Sequence, residues 1–224
     1  MLLPVDDDVW VAESSIRYLG ARLPTRMTVL RLRSGDLFVH SPVAIDGALR
    51  AELDPLGPVR FVVAPSRYHH LGITGWFREY PGARFWAAPG LPEKRQDLEF
   101  HGLLADTAPS EWADEIDQTI FWSIPLMNEV IFCHRPSRTL ILTDLVFNIH
   151  EHDSALVRLG LRIDGAWRRF AASHLLRLLI RDRSRGQETI SLVLSWDFDR
   201  VIMSHGRILE TGGRDAVRSA FAFL

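Results

Sequence analysis

Apolar residues fall in two blocks of short, strand-length runs, each followed by a stretch of helical spacing, and this repeated plan most limits how the chain folds. In the first block Val9 to Ala12, Met27 to Leu32 and Leu37 to His40 read as hairpin-connected strands, with Ser34-Gly35-Asp36 as the turn between the last two. Ile45 to Leu53 has helical spacing and stops before Pro55 and Gly57. Val59 to Ala64 is the next strand, Leu71 to Tyr80 a helix ended by Pro81-Gly82, and Arg84 to Ala87 a short strand. Strand, helix, strand is the order of an α/β protein. Pro89 to Ala113, rich in Gly, Pro and acidic residues, is expected to be irregular. The second block places strands at Thr119 to Trp122, Glu129 to Cys133 and Thr139 to Thr143, with a turn at Pro136-Ser137-Arg138. Asp153 to Trp196 is mainly helical in pattern, Phe198 to Met203 is the final strand and Asp215 to Phe223 a terminal helix. Two sheets packed face to face and covered by helices satisfy this order. A chain of 224 residues, 47% hydrophobic, is long enough to bury such a core as one domain, residues 1–224.

Several classes are set aside. No run approaches the ~18 apolar residues that span a bilayer, so no membrane partner is expected. Met1-Leu2-Leu3-Pro4 and the following Asp6-Asp7-Asp8 lack the basic and long apolar regions of a secretory signal, which makes a cytoplasmic chain the expectation. Cys133 is the only cysteine; an internal disulfide and a thiolate-cluster zinc site are excluded, and a buried apolar thiol is its plain reading. A net charge of −2 gives no argument for nucleic acid. All but one of the 26 basic residues are arginine, and Arg168, Arg169, Arg177, Arg181, Arg183 and Arg185 gather in one region. That cluster reads either as an anion-binding face or as an ordinary solvated helix face. No G-x-S-x-G elbow, P-loop or dinucleotide fingerprint is present.

The chemistry-bearing residues sit just past apolar runs. His69-His70 follow Phe61-Val62-Val63-Ala64, Asp144 follows Leu140-Ile141-Leu142-Thr143, and His205 follows Val201-Ile202-Met203-Ser204. Side chains at strand ends converge on one rim of a sheet however much chain separates them. Imidazole and carboxylate together suit zinc first, with iron and manganese as alternatives. Tyr68, beside the pair, reads as a hydrogen-bond donor to a developing oxyanion or as a packing residue.

With these residues in place the chain resembles the metallo-β-lactamase superfamily. That resemblance implies a four-layer αβ/βα sandwich of two mixed sheets with helices outside, and metal-dependent hydrolysis. The family's H-x-H-x-D-H motif falls on Pro65-Ser66-Arg67-Tyr68-His69-His70, so the last histidine is kept, the aspartate has become His69, and the leading histidines have become Pro65 and Arg67. The motif H-T-P-G-H-T is matched to His134-Arg135-Pro136-Ser137-Arg138-Thr139, which puts Arg138 where a ligand histidine stands and leaves His134 as a group that orients a ligand or a structural histidine. T-G-D corresponds to Leu142-Thr143-Asp144, and the terminal histidine to His205-Gly206. Arg67 to His70, Ala88-Pro89-Gly90 and Ser137 to Leu140 further resemble a degenerate branch of the superfamily to which no reaction is assigned. The implied losses all fall on the first of the family's two metal sites.

The resemblance therefore implies one divalent cation held by His69, His70, Asp144 and His205, with Asp144 and Tyr68 as the catalytic pair. Arg67 and Arg138 are expected to point into the volume of the lost metal and hold an anionic part of a small substrate. The leading expectation is a hydrolase of an anionic ester, thioester, amide or phosphoester. A non-catalytic metal- or ligand-binding domain is the alternative. Nucleic-acid processing rests only on fold analogy and the arginine cluster.

Overall fold

The computed structural model describes residues 1–18 and 21–224. Strands β1 (Leu2–Asp6), β2 (Val9–Tyr18), β3 (Ala21–Arg31) and β4 (Leu37–His40) pair antiparallel in chain order. Helix α1 (Gly47–Leu53), whose first turn is capped by the Asp46 carboxylate on the Leu49 amide, carries the chain across the sheet. Pairing is parallel from there: β4 to β5 (Val59–Ala64), β5 to β6 (Arg84–Ala87) and β6 to β7 (Gly102–Leu103). Helix α2 (Thr74–Glu79) connects β5 to β6, and α3 (Leu91–Lys94) precedes β7. The second sheet has the order β11-β10-β9-β8. Its strands β8 (Ile116–Phe121), β9 (Glu129–His134) and β10 (Thr139–Ile141) form an antiparallel meander, and β11 (Arg200–Ile202) joins β10 in parallel. Between β10 and β11 lie α4 (Ala155–Ile163), α5 (His174–Leu179) and α6 (Arg183–Ser195); α7 (Gly213–Ala220) follows β11.

Side-chain alternation along the strands divides the apolar residues among three layers of core. Between the sheets, Val11, Leu30, Phe38 and Phe61 meet Ile120, Val130, Phe132 and Ile202. Trp112 fills the same layer, its ring edge-on to Phe38 and Phe61 at 5.1 Å and to Trp86 at 5.0 Å. On the outer face of the first sheet, Leu49, Leu53 and Trp76 pack against Val39, Val62 and Phe85. On the outer face of the second, Ile190, Val193 and Val217 pack against Ile131, Leu140 and Val201. Helix, sheet, sheet, helix is the four-layer αβ/βα sandwich that the sequence leads one to expect.

The differences are local. The region expected to be irregular, Pro89 to Ala113, holds α3 and β7, four and two residues long. The long helical region is three helices, and α4 buries none of its residues, leaving Leu156, Leu159 and Ile163 exposed. β10 stops at Ile141 rather than Thr143, because the amides of Thr143, Asp144 and Leu145 turn to the Glu129 carboxylate. Among the described residues no helix is long and apolar enough to cross a membrane.

Candidate metal centre

Three strand ends deliver the site. Beyond β5 the Ser66 hydroxyl accepts the amides of Tyr68 (3.3 Å) and His69 (3.1 Å), a tight turn that sends the His69 ring inward. Gly72, just after the histidine pair, has to be small, since a Cβ there would overlap the Pro42 carbonyl. Beyond β10, the Glu129 carboxylate accepts the amides of Thr143 at 2.6 Å, Asp144 at 2.8 Å and Leu145 at 3.2 Å, and so fixes where Asp144 leaves the sheet. Beyond β11, the Met203 carbonyl accepts the Arg26 guanidinium at 2.6 Å, and Arg26 is paired in turn with Glu13. His205 follows, and the next position has to be glycine: Gly206 has a φ of +105°, and a Cβ there would overlap the Asn148 carbonyl.

His69, Asp144 and His205 come together, each offering one ligand atom within 4.8 Å of the others. His205 Nε2 lies 2.9 Å and His69 Nε2 3.3 Å from the same atom, Asp144 Oδ1. The other nitrogen of each ring is occupied: His205 Nδ1 by the Pro24 carbonyl at 2.6 Å, and His69 Nδ1 by the Ser41 hydroxyl at 2.8 Å. A carbonyl only accepts, so His205 Nδ1 carries a proton, and in the neutral ring the Nε2 lone pair faces a carboxylate oxygen. Such a contact is repulsive unless a proton or a cation lies between the two atoms. Burial lowers the affinity of His205 for a proton, but the hydrogen bond and charge of Asp144 outweigh it and raise its pKa. Burial likewise pushes the Asp144 carboxyl up, and the two imidazoles overrule it, holding it well below the usual carboxylate range. Two nitrogens and one carboxylate that favour a positive charge among them form a donor set that fits a divalent cation of the zinc class.

His70 does not join the other three. Arg95 Nη1, which can only donate, lies 3.0 Å from His70 Nδ1, so that nitrogen accepts and the ring proton sits on Nε2, buried without a partner among the described residues. No lone pair is left for a cation. Burial, followed by the charges of Lys94 and Arg95, also pushes its pKa down to about 4. Tyr68 borders the same cavity as the triad, with Lys94 Nζ 4.9 Å from its ring centre.

The arginine expectation is corrected. Arg138 lies in the β9–β10 turn, at the opposite end of β10 from Asp144, and pairs with Asp197 at 2.8 Å. His134, in register with Thr139, is at that same far end, its Nδ1 2.7 Å from the Ser137 hydroxyl; it orients no ligand. Arg67 runs past Gly90 to donate to the Pro125 carbonyl at 3.2 Å and does not line the cavity. The loop that does reach the rim is Ser123-Ile124-Pro125-Leu126-Met127-Asn128. From it Leu126 and Met127 line the cavity. The clustered arginines are distributed over aromatic faces: Arg168 on Trp167, Arg177 on Phe223 and Arg185 on Trp122.

Glu129 and Ser41 are the positioning residues that sequence reasoning missed. Glu129 carried a signal, since it is the one charged residue opening an otherwise apolar strand. Ser41 carried none, because its position is set by the parallel pairing of β4 with β5.

Metallo-β-lactamases are among the solved structures similar to this chain. One from Pontibacter korlensis is 12% identical with a TM-score of 0.66, over 100% of this chain and 99% of that one. One from Erythrobacter litoralis is 12% identical with a TM-score of 0.66, over 100% and 96%. FIM-1 from Pseudomonas aeruginosa, in a mono-zinc form, is 12% identical with a TM-score of 0.63, over 100% and 95%. At such identities the likeness establishes the metallo-β-lactamase-like fold. No curated protein matches the sequence. The family model described as "Domain of unknown function (DUF4336)" matches residues 6–165, and the chain belongs to that family.

Proposed function

We propose that this protein is a metal-dependent hydrolase that holds one divalent cation, zinc first and iron or manganese as alternatives, with His69 Nε2, the Asp144 carboxylate and His205 Nε2. The observation that carries the reading is the pair of imidazoles, each with Nδ1 engaged elsewhere, presenting Nε2 to one carboxylate oxygen on a cavity wall. A cation bound there supplies Lewis acidity toward a carbonyl or phosphoryl oxygen. Asp144 contributes the negative charge that makes the site selective for a cation, and Glu129 keeps that carboxylate in place. Tyr68, on the cavity wall, offers its hydroxyl to the oxygen of the scissile group as charge develops.

The second reading, a metal-binding domain without turnover, is favoured by one feature. Pro65, Arg67 and Arg138 stand where the superfamily resemblance implies ligands of another cation. Turnover of generic esters, thioesters and phosphoesters by zinc-loaded and chelator-stripped protein separates the two. The hydrolase reading predicts zinc-dependent turnover that falls at least about a hundredfold in Asp144→Asn and in His205→Ala while circular dichroism is unchanged. Stoichiometric zinc with no turnover of any class establishes the second reading instead.

A further inference from the structure

The cavity onto which the triad opens has a volume of 450 Å³, within the range of small-molecule sites. Ile16, Leu23, Leu126, Phe147, Leu175 and Leu179 supply its apolar wall. Among the described residues, its polar lining is serine and threonine hydroxyls, Tyr68 and histidines, with Asp144 the only acid and neither arginine nor lysine present. A second observation concerns the entrance. Leu71, Leu126 and Leu175 border the cavity and are also 63%, 47% and 60% exposed, so large apolar side chains stand at its mouth in contact with water.

Away from the triad, a charged substrate group entering this space gives up its hydration and meets no arginine or lysine among the described lining residues. A hydrocarbon chain gains at every step. We infer that the cavity is an acyl-chain pocket, and that the substrate is an uncharged ester or thioester whose chain enters past Leu71, Leu126 and Leu175; the substrate assignment rests on the hydrolase reading above. Hydrolysis adds water across the acyl carbon–oxygen or carbon–sulfur bond. Oxygen from water bonds to the acyl carbon, the electron pair of the broken bond leaves with the alcohol or thiol, and that group takes one proton from water. The new carboxylic acid releases its proton to solvent, and no oxidant or reductant is needed.

The test is a series of p-nitrophenyl esters from acetyl through butyryl, hexanoyl and octanoyl to decanoyl, with zinc-loaded protein. The expected result is a kcat/KM that rises about threefold to fourfold per methylene until the cavity is filled, with p-nitrophenyl phosphate a poorer substrate than the octanoyl ester. Leu126→Asp combined with Leu175→Asp, both at exposed positions, flattens the series. A flat or falling series, or preference for the phosphoester, overturns the inference. Displacement of Nile red by straight-chain alcohols from butanol to decanol tests the pocket apart from catalysis. If no ester is turned over, the hydrolase reading fails, and the alcohols still decide: affinity that climbs with chain length and is lost in the double variant supports the pocket, and affinity independent of length overturns it.

Discussion

Glu129 is fully buried, yet its carboxylate gathers the amides of Thr143, Asp144 and Leu145. Burial and then the Asp144 charge push its pKa up to about 7, against the pull of those amide donors. Glu129→Gln keeps the shape and removes the charge that pins the loop, so zinc affinity is expected to fall about tenfold to a hundredfold with the sheets intact, read by chelator competition. Unchanged affinity would show that Asp144 needs no such support. Buried neutral histidines set the acid limit of the fold. Burial pushes His40 down to about 3 and His70 and His134 to about 4. The unfolded chain takes up protons near pH 6.5 while these rings stay neutral in the folded state. Stability is therefore lost as pH falls from about 6.5 toward 4, by up to roughly 1.4 kcal/mol per pH unit for each fully buried ring. Denaturant midpoints at pH 7, 5.5 and 4.5 check the direction. At this scale His69, Asp144 and His205 were legible because each closes an apolar run. Arg138 misled because its turn closes the end of β10 away from Asp144, and Arg67 because its guanidinium runs past Gly90 to the Pro125 carbonyl, neither of which a local motif records.

Elements differ sharply in what they bury. Phe132 on β9 lies between the sheets, 5.7 Å from the Phe38 ring and 5.3 Å from His40, and Phe132→Ala is expected to cost about 3–5 kcal/mol. Leu156→Gln or Leu159→Gln on α4 is expected to shift stability by less than about 0.5 kcal/mol, since that helix buries nothing. Urea titration of the three variants tests the contrast, and similar losses from all would contradict this layering. The segment after β11 has no such latitude: a Cβ at Gly206 overlaps the Asn148 carbonyl, so Gly206→Ala is expected to lower stability and, with His205 displaced, the metal affinity proposed above, read by chelator competition. The central strands and the longer helices were legible through their period, whereas β1, mostly exposed and holding Pro4, was not. α3 and β7 were not, because four and two residues leave no period to read.

For the molecule as a whole, the order of β-rich blocks and helices was enough to predict two facing sheets with helices outside. The cavity was not predictable, because its wall is assembled from β2, β3, the segments around Ser41 and Leu126, and α5, which meet only once the sheets pack. Trp112, between the sheets, reports on that packing. We expect its fluorescence and far-UV circular dichroism to lose signal at one urea concentration, as one cooperative domain requires; separate transitions would divide the chain into two units. The central claim is that His69, Asp144 and His205 share a cation. An anomalous-scattering map from crystals of protein purified without chelator is the direct measurement. The account predicts a single peak in contact with those three side chains, and a map with no peak there, or with the ion elsewhere in the molecule, contradicts it.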